Sequence, residues 1–372
     1  MKINPSLILI LALLGMPLAN AVEVVIGQVG PMSGLDANQG RAYAVGMQLM
    51  FNNINKVGGI NGHTFALVRK DDGGRPGDTV SATKQLLTEE KPLVLAGFFG
   101  NRNITDLVSS GVLEVNSIAV VGYRTTEVRS ETPLLYNVRA SLRDEINKIT
   151  EHLATVGINR IGLFTKTGRV LPRCLLPPTK QSRRLAPISF PKHPIQLGRL
   201  ALRRLLRCSL KPHRKPSSWS QAVQVAAAFI EQYRAAGGAS QLLSYSGADI
   251  EQLSKRLSEE QLRGVAIAQV VPNPYKISGR LAKEFSDTIA KTQSLEVPVS
   301  YTMMEGYIAG KVIVEAVRRQ GRNPSRSGFV TALDGMDSYD LGGYLVSFKP
   351  GMRSGAKFVE LSIISGSGKI RQ

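Results

Sequence analysis

The sequence predicts an α/β protein of the doubly wound parallel class, folded as two globular bodies. The chain has 372 residues, 43% of them hydrophobic and 20% charged, which is too long for one small domain and too apolar for a disordered chain. Short apolar runs alternate along it with stretches of 3.6-residue periodicity, the pattern of parallel strands covered by helices on both faces. Glycine-containing corners follow the first runs, where strand pairing must stop.

The first 21 residues stand apart. Lys2 gives a positive start, Leu7 to Leu14 is an apolar run with one alanine, and Ala19-Asn20-Ala21 is a small-x-small cleavage pattern. This reads as a secretory signal peptide, residues 1–21, because the run is about half the ~20 residues a membrane span needs. The expected location is periplasmic. No cysteine follows the cleavage pattern, so lipid attachment is not expected.

Val24 to Val29 reads as the first strand, ended by Gly30-Pro31-Met32-Ser33-Gly34. Tyr43, Met47, Met50 and Ile54, at steps of four, three and four, predict a helix that Gly58-Gly59 ends before a strand at Phe65 to Val68. Leu93 to Ala96 predicts the next strand, Ile104, Leu107/Val108, Gly111/Val112 and Val115 one helical stripe, and Ile118 to Val121 another strand. Residues 145–158 predict a helix on Ile146, Ile149, Leu153 and Val156, followed by a strand at Arg160 to Phe164. Order resumes with a helix at Ala226 to Tyr233 and strands at Gln241 to Leu243 and Val265 to Val271. Met304, Ile308, Val312 and Ala316 mark a late helix. Tyr344 to Phe348 and Phe358 to Ser362 alternate with period two, which predicts a closing antiparallel pair.

Between these halves lies a stretch of different chemistry. Lys plus Arg is 47 against 28 acids, a net of +19, yet His152 to Ile230 contains no Asp or Glu, where an even spread would place about six. Lys166 to Pro216 alone carries 14 basic residues, both cysteines and eight of the nineteen prolines, so the rest of the chain has a net charge of only +5. From Thr167 to about Ser220 there is neither helical period nor strand alternation, and the prolines break any helix. Cys174, His193, Cys208 and His213 lack the short paired spacing of zinc ligands. The basic run has no interleaved aromatics or fold signature for nucleic acid, so no nucleic-acid partner is expected. No Ser/His/Asp or Cys/His set suggests catalysis, and no cofactor is implied.

Several segments resemble one family. Ile26-Gly27 to Gly34, Asn53 to Gly62 with its Gly-Gly-Ile-Asn-Gly turn, and Asp71-Asp72 resemble the opening of the type I periplasmic binding proteins, specifically the leucine/isoleucine/valine-binding family of ABC importers. Asn137-Val138-Arg139-Ala140-Ser141, Gln269 to Pro274, Glu305-Gly306-Tyr307 and Asp340 to Tyr344 fit in order and spacing. The resemblance implies two doubly wound lobes joined by a three-strand hinge, with lobe two partly disrupted. It divides the chain into 22–140 (lobe one, first part), 141–268 (lobe two, containing the aberrant basic segment 167–220), 269–342 (lobe one again) and 343–372 (C-terminal strands of lobe two). An acid-poor, Arg- and Pro-rich segment with family-like sequence on both sides is what a compensated pair of reading-frame shifts produces. The rival is a true basic insertion.

The implied function is a solute-binding protein, not an enzyme, that captures an amino acid or related small carboxylate and docks on an ABC permease. The alternatives are a ligand sensor for a signalling partner and a frame-damaged copy. Ligands of parallel βα sheets sit beyond the carboxyl ends of strands, where helix N-termini expose amides. Ser33 at the first corner, Gly100, Asn101 and Asn103 at the second, and Tyr123 and Thr125 at the third are the expected ligand-binding residues. Asn101 and Asn103 read equally as helix caps. Arg102 and Arg124 are either cleft cations or surface arginines, Asp249 is placed to pair with a ligand ammonium, and Tyr307 is either a cleft or a core residue.

Overall fold

The computed structural model describes residues 23–125, 131–158, 220–364 and 370–371. The expected signal peptide, the strand at 160–164 and nearly all of the segment 167–220 lie outside the described residues.

Lobe one is built on five parallel strands in the order β2-β1-β3-β4-β5, where β1 is Glu23–Gly30, β2 Thr64–Asp71, β3 Val94–Phe99, β4 Val120–Arg124 and β5 Leu135–Tyr136. One face is covered by α1 (Ala37–Lys56), whose predicted stripe Tyr43, Met47 and Met50 is buried. The other face is covered by α2 (Pro76–Glu89), α3 (Asn101–Ser109) and α4 (Val112–Val115). The single helix expected from Ile104 to Val115 is broken, because Gly111 takes φ 66 and ends the hydrogen-bond ladder; Val115 is consequently 85% exposed.

Lobe two carries a smaller mixed sheet. In it β6 (Leu242–Ser244) runs parallel to β7 (Val265–Gln269), and β10 (Glu360–Ile364) lies antiparallel between β7 and β11 (Ile370–Arg371). Its helices are α5 (Leu142–Thr155), started by a Ser141/Asp144 capping box, α6 (Ser220–Ala235), α7 (Ile250–Arg256) and α8 (Glu259–Leu262). The chain then adds α9 (Arg280–Ala290), α10 (Tyr301–Gln320) and α11 (Arg326–Asp334). Helix α10 is buried from Tyr301 to Gly310 and packs against α1.

The expected pairing of the two C-terminal runs is wrong. Leu345–Val346 (β9) pairs with Tyr339–Asp340 (β8), whereas Glu360–Ile364 pairs with β7. Period-two alternation predicts a strand with one buried face but does not specify its partner.

Three segments meet where the lobes adjoin. Asn137 exchanges backbone hydrogen bonds of 2.8 Å with Arg353 and Gly355. The Tyr344 hydroxyl lies 2.5 Å from the Val138 carbonyl and 3.1 Å from the Val270 carbonyl, binding all three segments together.

Two glycines decide which side chains reach the junction. Gly97 and Gly122 are neighbours on β3 and β4, both with positive φ (67 and 70), and Tyr43 packs over them. A Cβ on Gly122 would lie 2.0 Å from the Tyr43 hydroxyl, and one on Gly97 2.8 Å from Gln28 Nε2. The left-handed residue shifts side-chain alternation by one on each strand. Val121 faces the α1 side, and Tyr123, two residues on, faces the opposite core instead of following it.

Candidate functional site

The three corners lie together at the carboxyl ends of β1, β3 and β4. A Cβ on Gly30 would lie 3.2 Å from the Gly97 carbonyl, and the Gly100 N–H donates to the Arg124 carbonyl at 2.9 Å. That bond joins the second and third corners, but it also occupies the Gly100 amide. Ser33 is exposed at the rim, its N–H donating to Asp71 Oδ1 at 3.2 Å. Burial works against the Asp71 charge, but hydrogen bonds from Ser33, Gly73 and Met32 outweigh it and hold the carboxyl below its usual range.

Asn101 opens α3 and is half-buried, and Thr125 is buried at the end of β4. Two of the expected residues are turned elsewhere. Asn103 donates to Thr79 Oγ1 at 2.7 Å and lies 3.4 Å from Asp72 Oδ2, so its side chain fastens α3 to α2. Burial raises the Asp72 carboxyl, opposed by hydrogen bonds from Thr79, Gly74 and Asn103. Tyr123 sits fully buried in the apolar layer with Val29, Leu95 and Leu107, where the shift at Gly122 sends it. Tyr307 donates to Glu284 at 2.8 Å and belongs to the α9–α10 contact. Arg102 is a surface residue 3.5 Å from Asp106, and its side chain is 62% exposed.

Arg124 goes inward. It is 4% exposed, lies over the Phe99 ring at 5.7 Å, donates to the Thr302 hydroxyl and stands 3.5 Å from Glu305. Glu305 is 3.8 Å from Arg139, the largest fully buried side chain; Arg139 is 3.7 Å from Glu145 and donates to Ser246. Glu145 in turn accepts from the Ser246 N–H at 2.7 Å and its hydroxyl at 3.0 Å. This chain of two cations and two anions runs from α10 of lobe one, through the segment after β5, to the turn after β6 in lobe two. Burial pushes the Glu145 carboxyl up, and Arg139 opposes it. Burial and then the Glu305 charge raise the Tyr43 hydroxyl well above its usual range.

Beside this chain is a cavity of about 320 Å³ with walls from both lobes. Asn38, Gln39 and Ala42 of α1 form one wall with Val297 to Ser300 and Thr302. Asp249, Glu251, Gln252, Ser254 and Lys255 form the other. Asp249 caps α7 by accepting the Gln252 N–H at 3.0 Å. Glu251 Oε1 accepts from the Tyr275 hydroxyl and the Tyr301 N–H, each at 2.8 Å. The lining therefore combines the N-terminal end of α1, favourable to an anion, with two carboxyl groups, favourable to a cation, and one of these, Glu251, already occupies the first amide of α10.

Asp249 was visible from its position in the sequence. Glu251, Gln39, Thr302 and the Glu145–Arg139–Glu305 chain were not assigned. The available signal for the last was polar residues in otherwise apolar runs: Glu305 within Tyr301 to Ala309, and Arg139 within Val138 to Ala140. Among the described residues no group of three or more His, Cys, Asp or Glu could hold a metal ion, and no helix is long and apolar enough to cross a membrane.

A substrate-binding periplasmic protein from Ralstonia solanacearum is 30% identical, with 94% of this chain and 99% of that chain covered at a TM-score of 0.74. LivJ of Streptococcus pneumoniae, a branched-chain amino acid transporter substrate binding protein solved with isoleucine, is 16% identical, with 94% and 98% covered at 0.70. A solute binding protein of an ABC transporter from R. palustris, solved with 4-hydroxybenzoate, is 15% identical, with 94% and 95% covered at 0.65. At 15–16% identity these last two likenesses show the fold alone. An amino acid binding protein of Pseudomonas aeruginosa is 33% identical over 88 residues, so the match spans 24% of this chain and only 24% of that curated relative. Residues 23–173 and 220–357 match the periplasmic binding protein family. The chain belongs to that family, as a type I member of the leucine/isoleucine/valine-binding kind.

Proposed function

We propose that the chain is the periplasmic solute-binding component of an ABC importer and that its cleft takes an amino acid or a close relative. The observation that carries this reading is that the acids Asp249 and Glu251 line one cavity together with Asn38 and Gln39 at the amino end of α1. An α-amino acid offers the complementary charges, an ammonium for the acids and a carboxylate for exposed amides and hydroxyls. Of the corner residues, the reading assigns the carboxylate to Ser33, Asn101 and Thr125, which are not among the residues lining this cavity and would meet the solute from the neighbouring corners; Gly100 contributes the turn, while Asn103 and Tyr123 support the corners from behind. Closure would bring both lobes onto the solute, and the closed form would dock on the permease.

The test is thermal unfolding of the mature chain with each of the twenty L-amino acids and with 4-hydroxybenzoate. An amino acid at a hundred times its Kd should stabilise the native state by about 2.7 kcal/mol. Asp249→Asn should weaken that ligand by about tenfold to a hundredfold, since a hydrogen bond to a charged group is worth about 1.5–3 kcal/mol. A preference for 4-hydroxybenzoate that survives the substitution would sink the amino-acid reading.

A second proposal concerns the basic segment. The family match stops at 173 and resumes at 220, nearly the limits of the acid-free, proline-rich stretch. This favours a compensated pair of frame shifts over an insertion, because this chain and the R. solanacearum protein cover each other to 94% and 99%, which leaves little surplus length for an insertion. Translating the gene across this stretch in the other two frames should give an acidic loop followed by an amphipathic helix; failure in both frames refutes it.

A further inference from the structure

The charged side chains that line the cavity are two acids and one base, Asp249, Glu251 and Lys255. Asp249 is buried and accepts the Gln252 N–H at 3.0 Å, and Glu251 Oε1 accepts the Tyr275 hydroxyl and the Tyr301 N–H at 2.8 Å. All three donors are neutral, so they fix the positions of the acids without balancing their charge. Buried carboxylates are ordinarily paired with cations. Lys255 is exposed, and among the described residues no ion pair ties it to either acid. Even if it balanced one of them, the second would still need a cation.

Gln39 supplies an independent observation. It is 4% exposed, lines the same cavity, and its Oε1 has no hydrogen-bond partner among the described residues. A buried acceptor without a donor is unfavourable, so a solute that fits must bring a donor here as well as a charge. The remaining lining is apolar over Ala42, Val297, Pro298 and Val299, which suits a chain of methylenes carrying a charged tip.

We propose that the solute is an amino acid whose side chain carries its own positive charge, of the lysine, ornithine or arginine class, and that Glu251 and the Gln39 carbonyl receive that charge. This rests on the amino-acid reading above, in which Asp249 pairs with the α-ammonium. The count of charges separates the candidates. Two acids and one base are the complement of a solute with two cationic groups and one carboxylate. A neutral amino acid brings one of each, which leaves one acid over and gives the Gln39 carbonyl no side-chain donor. An acidic one adds a further anion. A leucine or isoleucine side chain would cover Glu251 and Gln39 with methyl groups, removing water from both and replacing it with nothing. Burial, and after it the Asp249 charge, pushes the Glu251 carboxyl up, the direction of an acid that gains from a cation placed beside it.

The experiment is isothermal titration of the mature chain with L-amino acids paired by shape and differing in side-chain charge, arginine against citrulline and lysine against norleucine, together with leucine, isoleucine and valine. The cationic member of each pair should bind at least about tenfold more tightly, as expected of a hydrogen bond to a charged group. Glu251→Gln should bring that ratio close to one, and Gln39→Glu, which keeps the shape and adds a charge, should raise it by about tenfold. Opposite shifts from the two variants are not produced by a loss of folding, and each is checked for cooperative unfolding because Glu251 also fastens Tyr301. Should Glu251→Gln fail to fold, the rise in Gln39→Glu decides. Equal affinity within each pair, or tighter binding of leucine, isoleucine or valine than of lysine and arginine, overturns the inference and leaves the amino-acid reading standing. A ratio unmoved by either variant also overturns it, since the charge is then held elsewhere. Failure of every amino acid to bind overturns the amino-acid reading, and this inference with it.

Discussion

Gly306→Ala should destabilise the chain by about 3 kcal/mol or more, the upper end of what overpacking a buried site does. A Cβ on Gly306 would lie 2.1 Å from the Tyr43 carbonyl oxygen and 3.0 Å from its Cα. The contact is reciprocal, since a Cβ on Gly46 would lie 2.0 Å from the Met303 carbonyl and 2.7 Å from the Tyr307 nitrogen. Both obstacles are backbone, so no rotamer change relieves them, and α1 and α10 must move apart. That separation loosens the buried face formed by Tyr43, Met47, Met303 and Tyr307. Gly310→Ala is the control on the same helix. There the new methyl comes closest to the Met50 side chain, at 3.0 Å, and the nearest backbone atom, Met47 Cα, is at an ordinary contact distance of 3.4 Å, while alanine's helix propensity offsets about 1 kcal/mol. Thermal unfolding should therefore lower the midpoint by about 5–10 °C for Gly306→Ala and only slightly for Gly310→Ala. Equal, small effects would mean that the helices do not cross in backbone contact. Because the amino ends of both helices line the cavity, Gly306→Ala should also weaken whatever ligand the cleft takes.

Much of this was legible in the sequence. The strands β1, β3 and β4 and the helices α1 and α10 lie within a few residues of where period and glycine corners put them, because each is buried on a face that its own sequence defines. The helix break at Gly111 was hidden, since an apolar stripe continues across it while only φ records the interruption. Tyr123 was misjudged for the same kind of reason: a positive φ at Gly122 reverses which face follows, and no side-chain pattern reveals a backbone angle. Gly100 and Asn103 are of the right types in the right corner, but their hydrogen-bonding groups are already used by Arg124 and Thr79. The acid pair was half visible, Asp249 by position but not Glu251, whose environment depends on Tyr275 and Tyr301. The ion chain was invisible because its members, Glu145, Ser246 and Glu305, come from segments far apart in sequence that only folding brings to Arg139.

Glu305→Gln should cost about 3 kcal/mol of stability and should also shift the two lobes relative to each other. Arg124 and Arg139 both stand within 4 Å of Glu305 and are nearly inaccessible. Removing that carboxylate leaves two buried guanidinium groups with Glu145 as the one remaining anion of the chain, and an uncompensated buried charge typically costs about 3–5 kcal/mol. The residues lie on both sides of the junction, Glu305 on α10 and Glu145 with Ser246 in lobe two, with Arg139 on the segment between. The strain can therefore be relieved by separating the lobes and admitting water to the guanidinium groups. Small-angle scattering of the ligand-free variant should give a larger radius of gyration than the parent, and its ligand affinity should fall in proportion to the closed fraction lost. Arg139→Met gives the second arm. If Arg139 and Glu305 act as one latch, the double variant loses less than the sum of the two singles by at least about 1 kcal/mol. Additive losses with an unchanged radius of gyration would make the ion chain a packing feature of the closed lobes with no part in setting their equilibrium. Ser246 lies three residues before Asp249 on the same turn, so a latch that opens also draws the acid pair away from Gln39. A change at Glu305, which does not line the cavity, should then reach the ammonium site through the turn after β6.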